Sequence, residues 1–164
     1  MQDTDLSKPV VVSLVILLSI FVGIWYTGIR DDDLARQIGT LPKGKLLSIE
    51  GVKVYAEIAD TKEEWEKGLS GRESLAPQRA MLFVFPHSDY YSIWMKGMKF
   101  PIDVFWIDEN GYIVDIWHHA MPDDSISPQV YTPSRKAKYV LETVADFADE
   151  HDIEIGDRVY KLPR

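Results

Sequence analysis

The hydrophobic pattern divides the chain into one uncharged apolar run and a longer segment in which short apolar stretches alternate with turn residues. Residues 10–29 carry no charge, and a helix of that length spans ~30 Å, the thickness of a bilayer core. Lys8 and Arg30 bracket the run, and Trp25 and Tyr26 lie near one end of it, where aromatic rings prefer the membrane interface. The pattern predicts a short tail over residues 1–9 and a transmembrane anchor over residues 10–29.

A cleaved signal peptide is the alternative interpretation of this run. Secretory apolar regions are usually shorter, and no small-x-small cleavage pattern follows Gly23, so an uncleaved anchor is favoured. Orientation stays open at this point. Basic residues cluster on the carboxyl side of the run, which favours a cytoplasmic domain, whereas the acidic residues 31–33 carry little weight in that rule.

A polar stretch with glycine and proline follows over residues 30–45 and is interpreted as a linker. From residue 46 onward, apolar stretches of strand length alternate with turn residues. This spacing predicts a mainly β (α+β) domain over residues 46–164, an antiparallel β-sandwich or barrel-like fold with two short helices. The clearest hairpin spans residues 103–117, with Asn110 and Gly111 in its turn.

Two helices are predicted from capping and spacing. Thr61 and Glu64 form a capping box, and Gly68 suits the helix exit. A second helix is predicted to begin near Thr143 and to run through VADFADEH, because Val144, Phe147 and Ala148 keep helical spacing. The segment 120–134 holds three prolines and is predicted to be a long loop, whose Tyr131 is either a lid over the Trp94 region or, as favoured, a packed plug.

Composition removes several classes of function. The net charge of −8 disfavours nucleic acid and anionic lipid surfaces as partners. The chain contains no cysteine, which excludes disulfides, thiol catalysis and thiolate metal sites. Phosphate-loop and dinucleotide fingerprints are absent, and Ser70 is not in a nucleophile elbow. No cofactor is expected.

One ordered set of motifs carries a family resemblance. The segment WMKGMKFPID over residues 94–103 stands between EIADTKEEWEKGLSGRESL and MLFVF on one side and VFWID, KYVLE and IEIGDRV on the other. This order resembles the family called domain of unknown function 192 (DUF192), over about residues 52–159. The family usually has Gly-Leu-Met-x-Arg where this chain has GLSGR, with Ser70 in place of the methionine. The resemblance implies a compact β domain, often behind an anchor on the outer side of a cell membrane, and no defined activity.

Five residues in and around these motifs are the candidate ligand-binding group. Charged side chains within apolar strands need partners, so Arg72 or Lys96 is expected to meet Asp103 or Glu142. This arrangement is either a fixed ion-pair network, which is favoured, or a cleft in which Trp94 stacks on a ligand. The candidate residues are Arg72, Trp94, Lys96, Asp103 and Glu142.

A copper site is the less favoured reading of a second group of side chains. His118, His119 and Met121 with Met95 and Met98 are ligand types that suit copper, but their spacing matches no known ligand frame, and no metal is expected. The sequence thus favours a single-pass membrane protein whose extracytoplasmic domain is a binding or structural module for an envelope saccharide or peptide. The alternative is an envelope hydrolase that cleaves a polysaccharide with a carboxylate pair.

Overall fold

The computed structural model describes residues 43–163. The predicted anchor at residues 10–29 lies outside the described residues. No helix within residues 43–163 has the length and apolar character needed to span a membrane. The elements in chain order are β1 (Gly44–Ile49), β2 (Val52–Ala59), α1 (Lys62–Lys67), β3 (Arg79–Asp89), β4 (Ile93–Trp94), β5 (Ile102–Ile107), β6 (Ile113–Ala120), β7 (Val130–Tyr131), β8 (Ala137–Val144), α2 (Phe147–Glu150) and β9 (Val159–Tyr160).

The fold is mainly β, as predicted, and is built on one seven-stranded sheet in the order β6-β5-β8-β3-β2-β1-β9. The sheet curls into a half-barrel. Its two outer strands approach each other at one end, where the Ile113 amide donates to the Asp157 carbonyl at 2.9 Å and the Val159 amide donates to the Gly111 carbonyl at 2.8 Å. β1 begins at Gly44, inside the stretch interpreted as linker and before the predicted domain start at residue 46.

One strand pair departs from the antiparallel prediction. β2 and β3 pair in parallel, with Tyr55 opposite Arg79 and Ala59 opposite Phe83. Parallel neighbours need a crossover connection, commonly helical, and α1 with the segment after it provides one. Sequence spacing identified both strands and the helix between them, but it did not reveal that β3 runs parallel to β2.

Each face of the central strands packs against its own hydrophobic cluster, so these strands are buried on both sides. In β5, Val104 and Trp106 belong to one cluster, while Phe105 and Ile107 belong to the other. We call the side of Val104 the cleft face and the side of Phe105 the closed face. All six residues of β5 are buried, which explains why its sequence shows no alternation of apolar and polar residues.

Both predicted helices are present, but the second begins later than the predicted start near Thr143. Thr61 and Glu64 form the reciprocal capping box of α1, and Gly68 caps its end. Thr143 and Val144, by contrast, are the last residues of β8, and α2 comprises only Phe147–Glu150. The helical spacing of Val144, Phe147 and Ala148 was misleading at its start, because Thr143 and Val144 pair with Asp103 and Ile102 on β5.

The hairpin at residues 103–117 is confirmed as the antiparallel pair β5 and β6. In its turn Gly111 has φ +90°, which favours glycine, and one Asp108 carboxylate oxygen accepts from the amides of Asn110 and Tyr112. The segment 120–134 is not entirely loop, because it contributes β7 to a two-stranded sheet with β4. Tyr131 is buried and its ring centre lies 4.5 Å from that of Trp117, so it packs as a plug.

Candidate functional site

A row of register partners crosses the cleft face and carries two carboxyl groups. Glu57 on β2 lies opposite Met81 on β3, Met81 lies opposite Glu142 on β8, and Glu142 lies opposite Val104 on β5. Register partners on neighbouring strands point to the same side of a sheet. The fold therefore places Glu57 and Glu142 on one face with Met81 between them.

Two loops are held together beside this row. The Ser70 hydroxyl donates to the Lys96 carbonyl at 2.9 Å, and the Gly71 amide donates to the Gly97 carbonyl at 2.8 Å. These bonds join the GLSGR segment after α1 to the WMKGM segment after β4. Ser70 stands where the family that this sequence resembles usually has a methionine. In this chain the position therefore contributes a hydrogen bond between the two loops.

Arg72 projects from the first loop and pairs with a carboxylate that the sequence analysis did not single out. Its two terminal guanidinium nitrogens donate to the two Glu57 oxygens, each at 2.9 Å. Arg79 donates to Glu57 Oε1 at 2.8 Å. The hydrogen bonds from Arg72, and after them those from Arg79, hold the pKa of Glu57 below its ordinary value despite partial burial.

The expected pairing of Arg72 with Asp103 or Glu142 is therefore wrong. A signal for Glu57 was present in the alternation of β2, because Glu57 shares its parity with Tyr55 and Ala59. Both of these neighbours are buried. Residues of the same parity share one face of a strand, so Glu57 lies on a face between two buried neighbours, where a charge needs a partner.

Glu142 has no such partner. Its side chain is buried, and its Oε2 makes no hydrogen bond within residues 43–163. Burial raises the pKa of Glu142 to about 8, and the positive charge of Arg72 opposes this only in part. The acid is consequently neutral at pH 7, where an ordinary glutamate is ionised.

A cavity of about 60 Å³ opens beside Glu142, and we call it the Glu142 cleft. Trp94 is half-exposed at the cleft, with 51% of its surface accessible, and the ammonium of Lys96 lies 5.8 Å from the centre of the Trp94 ring. The Ser70 and Ser92 side chains add polar groups. The apolar walls are formed by Trp65, Leu69, Phe83, Ile93, Trp94 and Met98.

Asp103 belongs to a different environment. It lies opposite Thr143 on β8, one position away from Glu142, so its side chain points to the closed face. There it is fully buried, and its two oxygens accept from the amides of His119 at 2.8 Å and Ala148 at 2.9 Å. The structure thus brings Arg72, Trp94, Lys96 and Glu142 to one side of the sheet and leaves Asp103 on the other.

The two histidines considered for copper lie against carboxylates, Met95 and Met98 are buried in the hydrophobic cluster of the cleft face, and Met121 is exposed. Nδ1 of His118 lies 3.2 Å from Asp149, and Nδ1 of His119 lies 2.9 Å from Asp146. Met95 is completely buried in the hydrophobic cluster of the cleft face. Within residues 43–163 no three His, Cys, Asp or Glu side chains are grouped as a metal site requires.

A larger and more open concavity, about 520 Å³, lies over α2 between residues that include Ile116 and Ile155. Within the described part of the chain, the buried side-chain atoms without a hydrogen bond are Ser88 Oγ and Glu142 Oε2, and neither belongs to this concavity. No buried side-chain atom of its described lining lacks a hydrogen bond, so the Glu142 cleft is the better candidate site.

Comparison with known proteins identifies the family but no activity. A UPF0127 protein from Pyrococcus abyssi is 28% identical over 86 residues, which make up 51% of this chain and 68% of that protein. A crystal structure from Sinorhizobium meliloti, provisionally described as a transcription regulator, is 26% identical with a TM-score of 0.67 and covers 74% of this chain and 96% of its own. A protein of unknown function from Novosphingobium aromaticivorans shares the fold at 23% identity, with a TM-score of 0.65 and coverage of 71% and 84%.

The resemblance noted in the sequence is borne out at the level of the family. The sequence model of DUF192, described as "Uncharacterized ACR", matches residues 45–160. The match covers both loops beside the cleft and every strand that carries the charged row. The chain belongs to the DUF192 family.

Proposed function

We propose that this chain is a membrane-anchored binding module whose ligand enters the Glu142 cleft. The observation that carries the proposal is the buried carboxyl group of Glu142, which has an unpaired oxygen, Oε2, and belongs to a residue that lines the cavity beside Trp94. A buried polar atom without a partner costs about 1–3 kcal/mol. A ligand that hydrogen-bonds this atom recovers that cost, whereas a purely structural role leaves it unexplained.

The surroundings of Glu142 favour an envelope saccharide or peptide. Trp94 offers an exposed aromatic face of the kind on which sugar rings and peptide side chains stack, and Ser70 and Ser92 add hydroxyl groups. Recognition through Arg72 is not favoured, because its guanidinium is engaged by Glu57. Nucleic acid is not favoured either, since the net charge is −8, so the description of the Sinorhizobium protein is not carried over.

The carboxylate pair considered for glycoside hydrolysis, Asp103 and Glu142, does not lie together. A carboxylate pair must converge on one scissile bond, but Asp103 and Glu142 point to opposite faces of the sheet. The remaining carboxylate of the row, Glu57, is occupied by two guanidinium groups. Binding without turnover is the function that this arrangement supports best.

Substitution of Trp94 tests the proposed binding site. Peptidoglycan fragments and envelope peptides are titrated into the purified full-length chain by calorimetry. For a fragment that binds, Trp94→Ala is expected to weaken its affinity at least about tenfold, since the stacking of a ring on an aromatic side chain contributes on the order of 1–3 kcal/mol. The free energy of unfolding is expected to change little, because Trp94 is half-exposed.

The matched control is Tyr160→Ala, which removes another exposed aromatic side chain on β9. This variant is expected to bind with unchanged affinity. Binding that is insensitive to both Trp94→Ala and Glu142→Gln, or a complete lack of binding across the panel, would contradict the proposed function.

The proposal places the domain outside the cytoplasm, behind the anchor at residues 10–29. The absence of cysteine in the chain permits a direct test of orientation. A single cysteine at the exposed hairpin position, Glu109→Cys, is expected to react with a membrane-impermeant maleimide in intact cells. Labelling only after lysis would show that the domain faces the cytoplasm, and full-length chain in the soluble fraction would argue against an uncleaved anchor.

A further inference from the structure

The Glu142 cleft joins a buried carboxyl group to aromatic walls. We propose that this cleft takes the ammonium group of a primary amine, as found in peptides and amino sugars. The inference rests on the proposed function, because it names the chemical group that the same site binds. It is carried by the unpaired carboxyl oxygen, by the wall composition and by the occupied state of Arg72.

The unpaired oxygen calls for a hydrogen-bond donor. A carboxylate accepts through both oxygens, and a neutral carboxyl group still accepts through its carbonyl oxygen. The Glu142 carboxyl group can therefore accept from a ligand in either protonation state, whereas a ligand that only accepts hydrogen bonds is matched only by the neutral form. An ammonium group brings three donors and a charge, and charge-assisted bonds are about twice as strong as neutral ones.

The walls suit a cation that has left water. Trp65, Phe83 and Trp94 surround the cleft, and aromatic faces attract organic cations. One cation already makes such a contact, because the Lys96 ammonium lies 5.8 Å from the Trp94 ring centre. The volume of about 60 Å³ is several times what one water needs, which is room for an aminomethyl tip but not for a whole sugar or peptide.

An anionic ligand is disfavoured by the same contacts. Both terminal nitrogens of Arg72 are bound to Glu57, so a ligand carboxylate or phosphate would have to compete with Glu57 for this guanidinium. An anion next to Glu142 would also prevent that acid from ionising. An ammonium group instead pairs with the ionised Glu142. The charged side chains on this face then alternate in sign in the order Arg79, Glu57, Arg72 and Glu142.

Binding of an ammonium group replaces the proton on the Glu142 carboxyl group with the positive charge of the ligand. At neutral pH the neutral carboxyl group of Glu142 releases its proton to water as the ammonium enters, so affinity depends on pH. The charged groups around Glu142 among the described residues are Arg72, whose partner is Glu57, Glu66, which pairs with Lys62, the neighbouring Lys67 on α1, and Lys96, whose ammonium lies 5.8 Å from the Trp94 ring centre. Its register partners Met81 and Val104 do not ionise.

The test uses propylammonium and 1-propanol, which have nearly the same size. Each is titrated into the full-length chain, and binding is followed by the indole and amide NMR signals of Trp65 and Trp94. Propylammonium is expected to bind with a dissociation constant on the order of millimolar, as befits a fragment of four heavy atoms. Its affinity is expected to rise about tenfold between pH 6.5 and pH 7.5, and 1-propanol is expected to bind at least about tenfold more weakly at the higher pH.

Glu142→Gln is the matched variant, because it keeps the shape of the side chain and cannot ionise. It is expected to lose both the preference for the amine and the pH dependence. Equal, pH-independent binding of both probes would overturn the inference while leaving the proposed function in place. Binding of an envelope fragment without any response to propylammonium would do the same, and the absence of any response at the cleft would overturn both.

Discussion

Replacement of Asp103 by alanine is expected to lower the free energy of unfolding by roughly 3 to 5 kcal/mol. The carboxyl group is completely buried and satisfies the amides of His119 and Ala148, which belong to two separate segments. Its removal leaves both donors without a partner on the closed face, next to Phe147. Urea unfolding of the variant and the natural chain, followed by circular dichroism, measures the difference.

Asp103→Asn refines this result. An amide side chain keeps one acceptor oxygen and presents a donor to the other N–H, so it is expected to lose about half of the stability that alanine loses. A loss below about 1 kcal/mol for both variants would contradict the role of Asp103 as the group that joins β5, β6 and the start of α2.

Glu142→Gln is expected to have the opposite effect on stability, and one that depends on pH. The pKa of Glu142 rises from its ordinary value of 4.5 to about 8 on folding, because burial disfavours its charged form. Between these two pH values the folded state holds a proton that the unfolded state has released. The free energy of unfolding contributed by Glu142 is therefore fully present below 4.5 and is lost as the pH rises towards 8.

Glutamine mimics the neutral acid and carries no such dependence. The variant is expected to match the natural chain near pH 5 and to exceed it by an amount on the order of 4 kcal/mol near pH 9. Glu57, whose pKa is lowered by Arg72 and Arg79, acts equally in both proteins and cancels from the comparison. A difference between the two unfolding free energies that stays constant from pH 5 to pH 9 would contradict a neutral Glu142.

The strands were predictable because their signals are local. Apolar stretches of strand length bounded by turn residues located the main strands, and the capping box of Thr61 and Glu64 located α1. The failures lie where tertiary structure overrides local spacing. Val144 continues β8 because β5 pairs with it through Ile102, and β2 and β3 are parallel because of the crossover between them.

The segments that surround the Glu142 cleft were recognisable in the sequence, but the pairing of their charged side chains was not. The WMK and GLSGR segments and the VLE glutamate were identified from sequence, and the structure places them around one cavity. Which charge meets which depends on register. A shift of one residue moves a side chain to the other face of a sheet, and the observed register places Glu142 on the face of Glu57 and Asp103 on the other. The strands concerned lie far apart in the sequence, so the local pattern of each strand did not reveal how they pair.

The ion-pair network favoured from sequence is thus divided into three separate environments. Arg72 is matched by Glu57, Asp103 is matched by backbone amides, and Glu142 is left without a partner. Only the third environment is incomplete within the described residues. The functional proposal follows from this difference, since an incomplete buried group beside an open cavity is where a ligand adds most.

The most direct test of this account is a pH titration of the Glu142 side-chain carboxyl carbon by NMR in the full-length chain, with and without propylammonium. The account predicts a midpoint near pH 8 in the free protein and a lower midpoint when the amine is present, because the cation stabilises the ionised form. A midpoint near the ordinary 4.5 that does not move with the amine would contradict both the neutral buried acid and the ligand site built around it.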